Sequence, residues 1–158
     1  MTNHAQLIDK YLAGPALLRK AVAGMSREQR TARPVAGKWS TLEVVCHLAD
    51  FDPILADRMK RIIAEDNPQI IGADENHFAA ALRYPDRDLE EELAIVERTR
   101  SQMGRILRAL PPETFARVGT HNERGQLTLE IILTNAVNHI PHHAKFIEEK
   151  RKTLGLPT

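Results

Sequence analysis

The chain has 158 residues, about the size of one domain and enough to bury a single hydrophobic core without disulfides. Its 22 lysines and arginines nearly balance 21 aspartates and glutamates, so the net charge of +1 indicates neither a nucleic-acid partner nor an anionic membrane surface. The N-terminal segment lacks the basic and apolar regions of a secretory signal, and the single cysteine, Cys46, cannot form an internal disulfide. We expect a cytoplasmic protein with one domain over residues 1–158.

The composition and the first forty residues favour helices. Aromatic residues make up only 4% of the chain, whereas alanine, leucine, isoleucine, arginine and glutamate are frequent. Apolar residues recur at helical intervals between Asn3 and Gly24, although Pro15 within this segment predicts a kink or a break. Ser26 and Gln29 have the spacing of a capping box, which predicts a short helical turn before the next loop.

A second long helix is predicted to begin at Ser40. Ser40 and Glu43 have N-cap and N3 spacing, and Pro53 is expected to kink the helix midway. One apolar stripe follows the cap and consists of Val44, Leu48, Phe51, Leu55, Met59 and Ile62. This pattern is typical of a helix that packs one face against a core.

The second half of the chain predicts two more long helices. Residues 66–88 form a polar connection that is long enough to cross from one end of a bundle to the other and that can act as a lid. Helical periodicity returns from Leu89 to Leu110, and after an irregular stretch over residues 115–125 the last helix opens near Thr128 and extends to Gly155. We expect an all-α four-helix bundle without paired strands.

The residues with the clearest chemistry lie in the last helix. His139 and His143 are four residues apart, so their rings share one helix face at a spacing of about 6 Å and can bind one metal ion. His142 points more than a quarter-turn away, and Pro141 predicts a kink or bulge between the two histidines. The alternative is a histidine cluster that packs at an interface and bonds to water or to carboxylates.

A third candidate ligand, His47, lies two turns into the second helix. Glu43 is one turn before it and Asp50 about one turn after it, so the three residues form a polar strip beside the apolar stripe. Such strips line clefts between helices, where bundles build metal sites. The alternative is a helix histidine whose hydrogen bonds are satisfied by its neighbours.

Two groups of motifs resemble the DinB/YfiT-like superfamily of metal-binding helical bundles. The opening motif comprises Arg33-Pro34, Gly37 to Ser40, Glu43 to Val45 and His47 to Asp50, and the closing motif comprises Gly119 to His121, Gly125, Thr128-Leu129 and His139 to His143. The resemblance covers nearly the whole chain. It implies a DinB/YfiT-like bundle with up-down-down-up connectivity, and it implies His47, His139 and His143 as the metal ligands.

Three histidine ligands imply a metal site with an open coordination position. Catalytic zinc sites have three protein ligands, and all-imidazole ligation suits several divalent ions, of which we favour zinc or nickel. Such an ion activates water or binds a small thiol as its thiolate. Because relatives include thiol-dependent transferases and hydrolases, the resemblance favours transfer of a small electrophile onto a low-molecular-weight thiol. The alternatives are metal-dependent hydrolysis and a non-catalytic binding or stress protein with a structural metal.

Four further residues are assigned supporting roles. Glu43 and Asp50 are predicted to orient a ligand ring or to act as a catalytic base, and Asn138 and His142 are predicted to support the ligand rings from outside. For each of the four the alternative is a solvated helix face or a cap.

The expected partners are a small-molecule substrate and a second copy of the chain, since bundles of this family commonly pair through helix faces. No nucleic-acid or membrane partner is expected. Trp39 is interpreted as a hydrophobic anchor at the end of the bundle, and His121 as an exposed loop histidine.

Overall fold

The computed structural model describes residues 3–157, and four long helices dominate it. The helices are α1 (His4–Val22), α2 (Arg27–Thr31), α3 (Thr41–Ala64), α4 (Glu75–Ala81), α5 (Leu89–Arg108) and α6 (Leu129–Thr153). Short 3₁₀ turns lie at Tyr84–Asp86 and Pro112–Ala116. The predicted four-helix bundle is confirmed, with α1, α3, α5 and α6 as its members.

The long helices have up-down-down-up connectivity. Helix α1 packs against α5 and α6, and α3 packs against the same two helices. Residues 65–88 connect α3 to α5, so the polar segment predicted as a crossover does link two neighbouring helices of the bundle. Among residues 3–157, no helix has both the length and the apolar character needed to span a membrane.

The predicted capping boxes set the starts of α2 and α3. Ser40 Oγ accepts a hydrogen bond from the Glu43 amide at 3.2 Å, and the Glu43 carboxylate accepts one from the Ser40 amide at 2.7 Å. The same reciprocal pair joins Ser26 and Gln29 at the start of α2. Each box satisfies backbone donors that a helix end leaves without partners, which is why these helices begin where the pattern predicted.

The expectation that no strands pair is wrong, because the stretch predicted as irregular forms a hairpin. Strand β2 (Val118–His121) pairs antiparallel with β3 (Gly125–Thr128), and β1 (Gln69–Ile70) pairs parallel with β2. Gly125 closes the hairpin turn with a positive φ of 70°. The sheet ties the crossover to the segment that precedes α6. Strands of two and four residues are too short to show a clear alternation in the sequence.

The predicted break at Pro15 does not occur, since α1 is continuous from His4 to Val22. Proline removes the amide that would normally bond to the carbonyl four residues earlier, here that of Tyr11. Arg100 Nη1 donates to this carbonyl at 2.9 Å and replaces the missing donor. A Cβ atom at Gly14 would overlap the same guanidinium, so glycine leaves room for it. Helix α6 likewise stays α-helical through Pro141.

A buried ion pair between Arg100 and Asp52 lies at the centre of the bundle. Arg100 Nε and Nη2 donate to the Asp52 carboxylate at 2.6 and 2.9 Å, and both side chains are fully buried. Arg100 Nη2 also donates to the Ala136 carbonyl at 2.8 Å. Together with the bond to Tyr11, these contacts connect α5 to α1, α3 and α6.

We expect Arg100→Ala to lower the free energy of unfolding by about 3–5 kcal/mol, because it leaves the Asp52 carboxylate buried without a partner. The matched control is Arg98→Ala on the exposed side of the same helix, which should change stability by less than about 0.5 kcal/mol. Urea unfolding followed by circular dichroism measures both. Equal effects of the two variants would contradict the central role of the ion pair.

Candidate metal centre

Three imidazole rings meet between α3 and α6. His47 Nε2 lies 3.0 Å from His139 Nε2, and one ring nitrogen from each of His47, His139 and His143 lies within 4.8 Å of the other two. His47 and His143 are buried, and His139 is half-buried. The structure therefore brings together the three residues predicted as metal ligands.

The local helix geometry explains how the rings meet. His47 follows the N-cap Ser40 by two turns, and His139 and His143 are one turn apart on the face of α6 that packs against α3. The ring centroid of Phe51 lies 4.4 Å and that of Trp39 lies 5.3 Å from the centroid of His47. These aromatic neighbours give the cluster a partly apolar wall.

Burial keeps all three imidazoles neutral at physiological pH. It lowers the pKa of His47, His139 and His143 to about 3 each, and the neighbouring imidazoles of the cluster add to this effect. The positive charge of Arg100 further lowers the pKa of His139, and that of Lys150 further lowers the pKa of His143. Metal ions bind the neutral form of imidazole, so the cluster does not need to lose protons at pH 7 before it binds one.

The donor set fits a divalent metal ion. Three neutral imidazoles are ligands that zinc and nickel accept. The Nδ1 atoms of all three rings are buried and have no hydrogen-bond partner within the described chain, so no protein group fixes which ring nitrogen carries the proton. Nitrogen ligands at about 2.0–2.1 Å from a tetrahedral zinc ion lie roughly 3.4 Å apart. The distances between the ring nitrogens of the cluster, from 3.0 Å to at most 4.8 Å, lie on both sides of this value. Small rotations of the rings would therefore bring the three nitrogens to the spacing of zinc ligands.

Both carboxylates predicted to be catalytic are held by arginines. Burial raises the pKa of Glu43, but hydrogen bonds from Arg33 and from the Ser40 amide outweigh this effect and hold the pKa below its usual value. Asp50 accepts two hydrogen bonds of 2.9 Å from Arg87. In the part of the chain that the structure describes, neither carboxylate bonds to the three imidazoles. Their catalytic role stays a prediction.

The predicted supporting residues Asn138 and His142 lie exposed on α6. The ring of His142 contacts that of His143 edge-on at a centroid distance of 5.1 Å, and no hydrogen bond joins Asn138 to the cluster within residues 3–157. Their role likewise stays a prediction. The interpretation of His121 as an exposed loop residue is wrong. His121 is buried at the end of β2, where its Nδ1 atom accepts a hydrogen bond from the Glu123 amide.

Glu75 is the acidic residue near the cluster that the sequence interpretation missed. Its Oε2 atom lies 3.8 Å from His47 Nε2, and its side chain is 53% exposed. Glu75 is the first residue of α4, within the segment interpreted only as a crossover. No helical spacing relates residue 75 to residue 47, so the sequence carried no signal beyond the N-cap Asp74 that precedes it.

A pocket of about 240 Å³ opens beside the imidazole cluster. Its walls are formed by Gly37, Lys38, Trp39, Val44, Glu75, Asn76, His143, Phe146, Glu149 and Lys150. Trp39 therefore borders the site, in addition to packing edge-on against Tyr84. The pocket gives a small molecule access to the side of His143.

We expect the metal-free protein to lose stability as the pH falls from about 6.5 towards 3. In this range the unfolded chain protonates the three imidazoles, whose folded pKa is about 3, so the unfolded state binds up to three more protons. Urea midpoints of chelator-treated protein at pH 7 and pH 5 measure the effect. The urea midpoint of His143→Gln should change less between pH 7 and pH 5 than that of the control His77→Gln, which replaces an exposed histidine. A wild-type midpoint that is the same at both pH values would contradict the lowered pKa of the three imidazoles.

Comparison with known proteins identifies the family. The sequence profile of the DinB superfamily matches residues 11–147. A protein of Oceanobacillus iheyensis is 30% identical over 140 residues, covering 87% of this chain and 81% of the relative. YfiT of Bacillus subtilis is 30% identical over 142 residues, covering 89% of this chain and 80% of the relative. Both relatives are provisionally named as metal-dependent hydrolases.

Comparison of the fold with solved structures agrees with this family. The solved structure of Bacillus subtilis YfiT, a four-helix bundle of unusual topology, superposes with a TM-score of 0.92 at 27% identity and covers 99% of this chain and 91% of its own. The mycothiol-dependent maleylpyruvate isomerase shares the fold alone, with a TM-score of 0.71 at 11% identity, covering 91% of this chain and 60% of its own. The profile match over most of the sequence, together with the shared bundle, shows that this chain belongs to the DinB superfamily.

Proposed function

We propose that this chain is a metal-dependent hydrolase of a small-molecule substrate, with His47, His139 and His143 holding a divalent ion, zinc or nickel. The observation that carries the proposal is a carboxylate beside the imidazole cluster: Glu75 Oε2 lies 3.8 Å from His47 Nε2, and Glu75 lines the pocket that His143 borders. The provisional hydrolase names of the Bacillus subtilis and Oceanobacillus iheyensis relatives support the reaction class.

A divalent ion held by the three histidines would retain a position for water or a thiol and would lower the pKa of that ligand, which would supply a nucleophile near neutral pH. Glu75 would accept a proton from the water as the water oxygen forms a bond to the acyl carbon of the substrate, and would return that proton to the leaving group as the bond between carbon and leaving group breaks. Trp39 and Phe146 supply apolar walls for the carbon skeleton of the substrate.

Glu75 suits the role of base better than Glu43 or Asp50 does. Each of those two carboxylates would have to leave an arginine before it could accept a proton. Within residues 3–157 Glu75 forms no ion pair with an arginine or a lysine, and its Oε2 atom lies 3.8 Å from Nε2 of the neutral His47 ring. Its carboxylate can therefore accept a proton at the site without first leaving an arginine.

Transfer onto a low-molecular-weight thiol is the second candidate function. The side chain of Glu75 is half exposed and lies at the start of a helix of seven residues, at the edge of the pocket rather than within it. A thiol, with a pKa near 8.5, loses its proton far more readily than water and needs no base at the site. The thiol reaction would therefore proceed without Glu75.

We expect about one divalent ion per chain in protein purified without a histidine tag and its loss in His143→Ala. The variant removes one of three ligands, whereas the control His77→Ala removes an exposed imidazole outside the cluster and should keep the ion. Metal mass spectrometry measures both. No bound metal in the wild type after reconstitution with zinc and nickel would contradict the proposal.

We expect Glu75→Gln to lower hydrolysis of a chromogenic acetate ester by about 10²–10⁴-fold without loss of metal, because a general base contributes a factor of that order. Glu148→Gln, an exposed carboxylate on α6, is the control and should leave the rate unchanged. The same variants are assayed for transfer of a chloronitrobenzene onto a small thiol. Unimpaired hydrolysis in Glu75→Gln would exclude Glu75 as the base, and thiol transfer without ester hydrolysis would favour the second candidate.

A further inference from the structure

A buried lysine lies at the pocket beside the histidine cluster. Lys150 is 2% exposed and follows His143 on α6 by two turns, and both residues line the pocket. Its Nζ donates to the Phe146 carbonyl at 3.0 Å. Because this carbonyl lies one turn before Lys150, the side chain runs back along α6 towards His143.

The ammonium group of Lys150 lacks a close counter-charge. An ammonium has three N–H donors, and the carbonyl of Phe146 accepts one hydrogen bond. Within residues 3–157 no carboxylate lies within ion-pair distance of it, and Glu149, Glu43 and Lys38 act on it only at longer range. Burial lowers the pKa of Lys150, as expected for a cation without a partner. A buried charge of this kind is costly unless something pairs with it.

Lys150 and the histidine cluster face the same pocket. Its lining includes both Lys150 and His143, which lie two turns apart on α6. A molecule in the pocket therefore meets the imidazole cluster and a buried cation together.

We propose that Lys150 is an anion subsite, which binds a carboxylate of the substrate while another atom of the same molecule faces the three histidines. This inference rests on the proposed function only for that second contact. The structure favours a carboxylate over a phosphate dianion because Lys150 is the one buried cation among the described residues that line the pocket, whereas Lys38 is exposed. In addition, Glu75 and Glu149 line the same pocket and repel a second negative charge.

The size and walls of the pocket limit the remainder of the substrate. At about 240 Å³ the pocket is smaller than the range of about 300–1,000 Å³ that is common for small-molecule sites, which favours a small substrate. Trp39, Val44 and Phe146 provide the apolar surface. The substrate class is accordingly a short carboxylic acid whose reactive or metal-binding atom lies a few bonds from the carboxylate.

Two thiols of similar size test the subsite, since mercaptoacetate carries a carboxylate and 2-mercaptoethanol does not. Each is titrated into cobalt-reconstituted protein, and the thiolate-to-cobalt absorption band reports binding. The proteins are wild type, Lys150→Met, Lys150→Gln and the control Lys145→Met, which removes an exposed charge from the same helix. Circular dichroism and cobalt content verify that each variant folds and binds metal.

Wild type and Lys145→Met should bind mercaptoacetate about tenfold or more tightly than 2-mercaptoethanol, because a hydrogen bond to a buried charged group contributes that much affinity. Lys150→Met should lose this preference while its affinity for 2-mercaptoethanol stays the same. Persistence of the preference in a folded Lys150 variant would overturn the proposal, as would its absence from the wild type. If Lys150→Met does not fold, Lys150→Gln decides.

A separate measurement distinguishes failure of the subsite from failure of the metal site. If no cobalt binds, the proposed function fails, and the subsite is then tested in the metal-free protein by thermal unfolding. Sodium acetate, compared with sodium chloride at equal concentration, should raise the Tm of wild type and of Lys145→Met but not that of Lys150→Met. An equal effect of acetate on all three proteins would overturn the subsite. Conversely, binding without hydrolysis or thiol transfer would leave the subsite intact and reject the enzyme function.

Discussion

The Arg100 guanidinium is the contact on which the rest of the bundle depends. It bonds to a carboxylate on α3 and to backbone carbonyls on α1 and α6, so one side chain from α5 contacts the other three long helices. Asp52 lies five residues after His47, and Ala136 lies three residues before His139. The same ion pair therefore sets the spacing of the two helices that carry the imidazoles, and its charge lowers the pKa of His139. A buried ion pair adds little net stability by itself, but the hydrogen bonds of Arg100 join one face of each of the other three long helices.

Much of the fold could be predicted because its signals are local. A capping box spans three residues and a helical chelate spans four, so Ser40 with Glu43 and His139 with His143 are visible without knowledge of the tertiary structure. His47 is different, because helical periodicity does not say which helices pack together. Its assignment to the cluster came from the family resemblance, and the structure places it beside the other two rings.

The features that were missed depend on contacts between distant parts of the chain. In α1 the carbonyl left without its amide donor by Pro15 accepts a hydrogen bond from Arg100, eighty-five residues later. The parallel pairing of β1 with β2 joins residues 69–70 to residues 120–121. Glu75 reaches His47 because the crossover folds back over the start of α3. The role proposed for Lys150 depends on a pocket that several segments of the chain line together. None of these relations has a period or a spacing.

The division of the imidazoles between α3 and α6 has a consequence for synthesis of the protein on the ribosome. His47 leaves the ribosome early, but its partners lie in the helix that ends at Thr153. A nascent chain therefore cannot form the three-histidine cluster until residues through 143 have emerged. Incomplete chains that end before α6 carry one of the three histidines and therefore lack the complete cluster.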